Sequence, residues 1–175
     1  MTELEELQII RRVVDGETEA FEHLVLQYED RLLRMIATLL NDERRLAEDL
    51  AQTVFVEVYR RLKDFDPARS RFSTWLFMIA RSRTINALKK KRPSLLADLP
   101  ERATPAPDLS QRERLKTLDL ALHQLPDKQK RAFTLVALEN LSYAEVAQIE
   151  TTTVGTIKSR VSRARAFLKA SLSHY

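Results

Sequence analysis

The 175-residue chain predicts an all-α fold of two small helical domains joined by a flexible linker: an N-terminal helical bundle and a C-terminal four-helix domain. Three observations predict it. Apolar residues recur at helical spacing along nearly the whole chain. No stretch shows the strict alternation of a half-buried strand. Four prolines, Pro93, Pro100, Pro105 and Pro107, fall within 15 residues and interrupt that helical periodicity.

Each element has its own signals. Leu4, Leu7, Ile10 and Val14 form the stripe of a first helix, which Asp15-Gly16 ends. A second carries Phe21, Leu24, Val25, Tyr28, Leu32, Met35, Ile36 and Leu39, and Asn41-Asp42 stops it and caps the next. Leu46, Leu50, Val54, Val58 and Leu62 continue in steps of four until Asp66-Pro67, where proline restricts its predecessor and brings no N–H. Ser70 or Ser73 is positioned to cap a fourth helix bearing Phe72, Trp75, Leu76, Ile79, Ile85 and Leu88. A packed helix does not tolerate the proline density that follows, so residues 93–112 read as a linker between domains 1–92 and 113–175. The second piece is short for an independent core and needs tight packing or a partner.

Beyond the linker, Leu115, Leu118, Leu122 and Leu125 make one stripe, and Pro126-Asp127 opens a helix with Phe133, Val136 and Leu138. Ser142 and Glu145 have capping-box spacing, which starts a short helix near 143–150. Thr151 to Thr153 form a turn, and a final helix runs from Val154 to near Leu172.

Composition excludes several function classes. There is no cysteine, hence no disulfide scaffold, thiol nucleophile or Cys-ligated metal, and a reducing, cytoplasmic setting is expected. The acidic N-terminus is unlike a signal peptide, and no apolar run is long enough to span a bilayer. The histidines, His23, His123 and His174, lie in separate segments without metal-ligand or triad spacing, so an enzyme is not expected, nor is a metal or other cofactor. Charge is segregated. Residues 1–66 are net −7, residues 67–97 carry 8 bases and no acid, residues 98–150 are net −2, and residues 151–175 carry 5 bases and no acid. Two acid-free basic blocks suit two contacts with one polyanion, although solvated helix faces would give the same counts.

A short helix, a tight turn and a longer basic helix make a helix-turn-helix. On a helical wheel Val154, Ile157, Val161, Ala164 and Leu168 fill one arc of about 80°. The opposite side centres on Ser159, with Thr156, Ser162, Arg163 and Ala166 around it and long cations at the flanks, which suits a helix entering the major groove.

These residues carry a family resemblance. Ser142-Tyr143-x-Glu145-Val146-Ala147 followed by Val154-Gly155-Thr156-Ile157-Lys158-Ser159-Arg160-Val161-x-Arg163-Ala164-Arg165 resembles the C-terminal region of extracytoplasmic-function (ECF, group 4) sigma factors of the sigma-70 family. Ala47-Glu48-Asp49-Leu50-Ala51-Gln52-x-x-Phe55 is similar to that family's polymerase-binding helix, and Phe72-Ser73-Thr74-Trp75-Leu76-Phe77-x-Ile79-Ala80-Arg81 to its promoter-melting helix. The resemblance implies a non-enzymatic initiation subunit whose partners are core RNA polymerase (the β′ clamp helices and the β subunit), promoter DNA and an anti-sigma factor, often membrane-anchored. It assigns core polymerase binding to Asp49, Gln52 and Phe55. It assigns the −10 element to Phe65, Arg71, Trp75, Arg81, Ser82, Arg83, Asn86, Lys89 and Lys90. The −35 element falls to Thr156, Lys158, Ser159, Arg160, Ser162 and Arg163. Trp75 lies on an apolar stripe, so core packing competes with base stacking there. The sequence departs from the family pattern at Thr53, Ser82, Glu150, Thr151, Thr152 and Ser162; Thr151 stands where a glycine is usual and Glu150 where the family is apolar. A stand-alone helix-turn-helix regulator is the alternative, and it leaves the Asp49/Gln52 helix and the Phe72–Arg83 segment idle.

Overall fold

In a computed structural model, which describes residues 1–41, 43–91 and 111–172, every regular element is helical. The first domain holds α1 (Glu3–Val14), α2 (Phe21–Leu39), α3 (Arg44–Arg61) and α4 (Phe72–Lys91). The second holds α5 (Gln111–Gln124), α6 (Asp127–Phe133), α7 (Tyr143–Ile149) and α8 (Val154–Leu172). The expected linker falls almost entirely outside the described residues.

Helix α1 starts at a capping box: the Thr2 hydroxyl accepts from the Glu5 N–H at 3.3 Å, and the Glu5 carboxylate accepts from the Thr2 N–H at 2.7 Å. Its inward face is Glu6, Ile9, Ile10 and Val13, not the Leu4–Leu7–Ile10–Val14 stripe that spacing suggested; Leu4 is 68% and Val14 50% exposed. The rotation is set by α2, whose Tyr28 hydroxyl donates to the buried Glu6 carboxylate. Helix α3 differs in the same way. Its seam is Ala47, Ala51, Val54 and Val58, with Leu46 and Leu50 only half-buried, because small residues let α2 and α3 approach closely. Helix α4 begins at Phe72, so Ser73 lies inside it and Ser70 before it; neither is at its cap, and the Trp75 N–H closes the first turn on the Arg71 carbonyl at 3.1 Å.

Helix α4 is central. Phe72, Leu76, Phe77 and Ala80 are buried, and so are Thr74 and Thr84. An apolar cluster that includes Leu24, Leu32, Met35, Ile36, Val54 and Phe77 continues without a break into Leu135, Val146, Ile149, Ile157 and Val161 of the second domain. A smaller cluster, Ala121, Leu122, Leu125, Ala164 and Leu168, pins α5 to α8. The short second domain therefore takes its missing core from the first.

Between α6 and α7 the chain forms one π-helical turn, Thr134–Leu138, with the Glu139 N–H bonded to the Thr134 carbonyl at 3.0 Å. Sequence periodicity predicts a simple helix there. The extra residue in the turn delivers Glu139 to the surface of α2.

Candidate nucleic-acid and polymerase interfaces

The helix-turn-helix is built from local signals. The Ser142 hydroxyl accepts from the Glu145 N–H at 3.2 Å, and the Glu145 carboxylate accepts from the Ser142 N–H at 2.8 Å, which fixes the start of α7. Burial would raise the Glu145 carboxyl, but its hydrogen bonds to Ser142 and the charge of Arg71 outweigh that and hold it below the ordinary carboxylate range. Helix α7 ends in a Schellman motif: the Thr152 N–H reaches the Ala147 carbonyl at 3.0 Å and the Thr151 N–H reaches Gln148 at 3.1 Å. Thr151 sits at φ 52°, the left-handed conformation a glycine would adopt at little cost. The turn keeps its shape, and the threonine carries the strain. Helix α8 opens with the Thr153 hydroxyl accepting from the Thr156 N–H at 3.2 Å.

On α8, Ile157, Val161, Ala164 and Leu168 are buried, as the wheel predicts. Lys158, Ser162 and Arg163 stand in solvent, with Thr156 and Ser159 half-buried beside them. Arg160 is different: its guanidinium lies 3.4 Å from the Glu150 carboxylate and is largely covered. Five of the six residues expected to meet the −35 element thus share an accessible surface, and Arg160 is tied down.

On α3, Asp49 and Gln52 are exposed and line a shallow groove of about 460 Å³ together with Thr53, Val56, Glu57, Arg60, Arg61 and Arg83. Phe55 is not on this wall; it is half-buried and meets Phe21 edge-on at 6.5 Å. The exposed apolar residue of the groove is Val56, which the motif comparison passed over. Its signal was an apolar residue outside the buried seam.

The residues expected to meet the −10 element divide into three groups. Phe65 and Trp75, both half-buried, pack at 5.5 Å, and each contacts the buried Phe72, at 5.7 and 6.0 Å. Ser82, Arg83, Asn86, Lys89 and Lys90 are exposed along α4. Arg83 pairs with Glu57, whose carboxyl that hydrogen bond lowers. Arg71 and Arg81 turn toward the second domain: Arg71 lies 3.8 Å from Glu145, and the Arg81 Nε donates to Glu150 Oε1 at 2.8 Å.

Glu150 is the residue that motif reading underused. Its side chain is 1% exposed at the C-terminal end of α7, and three arginines converge on it: Arg81 from α4, Arg131 from α6 at 2.9 Å, and Arg160. Burial alone would raise its pKa, but the hydrogen bond and charge of Arg131 and the charge of Arg81 prevail and keep it low. Its charge at a position the family keeps apolar was the visible signal. Among the described residues, no group of His, Asp or Glu is arranged to hold a metal ion. No helix there is long and apolar enough to cross a membrane.

This is the architecture of a two-domain helical DNA-binding protein of the sigma-70 type. Residues 24–93 match sigma-70 region 2, and residues 115–168 match sigma-70 region 4. The chain is 32% identical to the ECF RNA polymerase sigma factor SigW of Bacillus subtilis, covering 93% of this chain and 94% of that one. It is 32% identical to the RNA polymerase sigma-H factor of Pseudomonas aeruginosa, over 98% and 96%. Among solved structures, the sigma factor RpoE in complex with the anti-sigma factor NepR from Bartonella quintana superposes with a TM-score of 0.73 at 28% identity, over 87% of this chain and 96% of that one. CnrH in complex with the cytosolic domain of CnrY shares the fold, with a TM-score of 0.74 at 24% identity over 95% and 96%. The chain belongs to the extracytoplasmic-function sigma factors of the sigma-70 family.

Proposed function

We propose that this sigma factor delivers core RNA polymerase to promoters carrying defined −35 and −10 elements, and that it opens DNA by capturing unpaired −10 bases. The supporting observation is that one chain carries, in the order of the family, the exposed Asp49/Gln52 face of α3, the cationic row on α4 and the outward polar face of α8. In this reading Asp49 and Gln52 pair with basic residues of the polymerase β′ clamp helices, and Val56 adds an apolar contact. Lys158 and Arg163 donate to guanine edges in the major groove. Ser82, Arg83, Asn86, Lys89 and Lys90 track the displaced strand, and the Phe65–Trp75 edge borders the site for a flipped base. The energy for melting comes from base capture, since the chain acts as a binding subunit. We place it in the cytoplasm under the control of an anti-sigma factor, a partner suggested by the relative solved with NepR.

The test is run-off transcription with purified chain and core polymerase on a cognate promoter. A transcript that depends on the chain supports the reading. Tight duplex binding without polymerase and with no transcript would instead mark a stand-alone regulator. Arg163→Ala should weaken −35 recognition by the holoenzyme by about 1–3 kcal/mol, and an unchanged footprint and sequence preference would remove Arg163 from the reading face.

A further inference from the structure

The two domains meet through buried carboxylates. Glu139, whose side chain is fully buried, receives Arg31 at 3.1 Å and Arg34 at 3.1 Å, both from α2, and the Arg31 guanidinium also donates to the Glu139 carbonyl at 2.8 Å. Glu150 receives Arg81, and Glu145 accepts from the buried Thr74 hydroxyl at 3.4 Å and lies near Arg71. The Gln148 amide donates to the Arg69 carbonyl at 3.1 Å, holding the loop before α4. A carboxylate out of water is tolerated only when paired and hydrogen-bonded. Here the partners of Glu139 come from the other domain.

Geometry makes this arrangement incompatible with simultaneous reading of two promoter elements. Positions −35 and −10 lie about 25 base pairs apart, about 85 Å at 3.4 Å per step. A compact chain of this length has a radius of gyration of about 16 Å. The domains must separate before both elements are engaged.

We propose that Glu139, Glu145 and Glu150 dock the helix-turn-helix unit onto the arginine surface of the first domain in place of DNA phosphates, so that the free chain blocks its own strand-binding track. Arg71 and Arg81 sit in the docked interface, and both belong to the set that meets the −10 strand; the inference rests on that reading. Arg31 and Arg34 form the part of the surface that serves docking alone. Opening exchanges carboxylate partners for phosphates, so the cationic surface never lacks counter-charge.

The absence of cysteine allows a direct test on the full chain. Spin labels at Glu22→Cys and Ala170→Cys, both exposed, report the separation of the domains. Wild type should give one short, narrow distance distribution, and Glu139→Gln and the double variant Arg31→Gln/Arg34→Gln a longer, broader one. The single variant Arg34→Gln, at a half-exposed side chain, serves as the control least prone to misfold. Affinity for fluorescein-labelled oligo(dT), measured on the same unlabelled proteins, should rise about five- to tenfold on opening. The proposal is overturned if wild type is already as broad as the variants, if the variants stay at the wild-type distance, or if they open and bind oligo(dT) no more tightly. Normal opening and tighter oligo(dT) binding together with a failed run-off assay would count against the sigma reading and leave the docking mechanism standing.

Discussion

The two sides of α4 are held by opposite chemistry. Toward α2 and α3 it presents Phe72, Leu76, Phe77 and Ala80, all dry, with Tyr28 edge-on to Phe72 at 5.5 Å. Toward α7 it presents Thr74 and Arg81, which meet Glu145 and Glu150. Apolar burial is non-directional and cannot be traded for another partner without exposing surface to water. Charged pairs are directional and exchangeable, because another anion at the same place restores most of what is lost. The first side of α4 is therefore suited to permanence and the second to release.

The largest effect should come from breaking the dry side. Phe77→Ala removes a fully buried ring and should cost about 3–5 kcal/mol in denaturant unfolding of the first domain. Glu150→Ala should follow at about 3 kcal/mol, because it leaves the buried Arg131 without its carboxylate. That loss should appear in the second domain and at the seam. Hydrogen exchange on α2 and α3 distinguishes the two variants, since only Phe77→Ala should deprotect them.

Acidity sharpens the contrast through two groups of opposite sign. Glu150 is held below its ordinary value, so its contribution is complete above the ordinary carboxylate range and is lost as pH falls through the lower folded-state value. Glu6 is held above its ordinary value, chiefly by burial and partly by the charge of Glu3, against the Tyr28 hydrogen bond and the charge of Arg31. Its contribution is complete below the ordinary range and is lost as pH rises through the higher folded-state value. Glu6→Gln keeps an acceptor for Tyr28 and removes the buried charge. At pH 7 it should leave stability unchanged or raise it by up to about 1 kcal/mol, and it should abolish the pH dependence of α1 protection just above the carboxylate range. A variant with wild-type pH dependence would show that Glu6 does not carry it.

The smallest effect concerns the turn. Thr151→Gly relieves a β-branched residue at φ 52° and should stabilise the second domain by about 1 kcal/mol, a rise of roughly 2–4 °C in melting temperature if the domains unfold together. A larger shift confined to the second domain would mean that the domains melt separately.

Helix boundaries and caps were legible because they are local. The Ser142–Glu145 box, the Asp15-Gly16 stop and the buried stripe of α8 follow from hydrogen bonds and spacings within a few residues. The rotation of α1 and the true seam of α3 were not legible, since leucines and isoleucines spaced three or four apart define more than one possible stripe. Which stripe turns inward depends on what the neighbouring helix offers: Tyr28 for Glu6 in one case, and close approach over Ala47 and Ala51 in the other. Of the candidate site, the outward faces of α3 and α8 could be read from motif and wheel. The coupling of Arg71, Arg81 and Arg160 to glutamates of the helix-turn-helix unit could not.

The sequence by itself determined the all-helical class, the helix-turn-helix and the cationic character of the two DNA-facing blocks, because periodicity, capping and charge are properties of neighbours along the chain. Only the tertiary structure decided that the second domain completes its core on the first, and that Glu139 and Glu150 join it to arginines far away in sequence. Such pairings follow from two surfaces meeting in space, where the need to neutralise a buried carboxylate selects a partner that no spacing along the chain encodes.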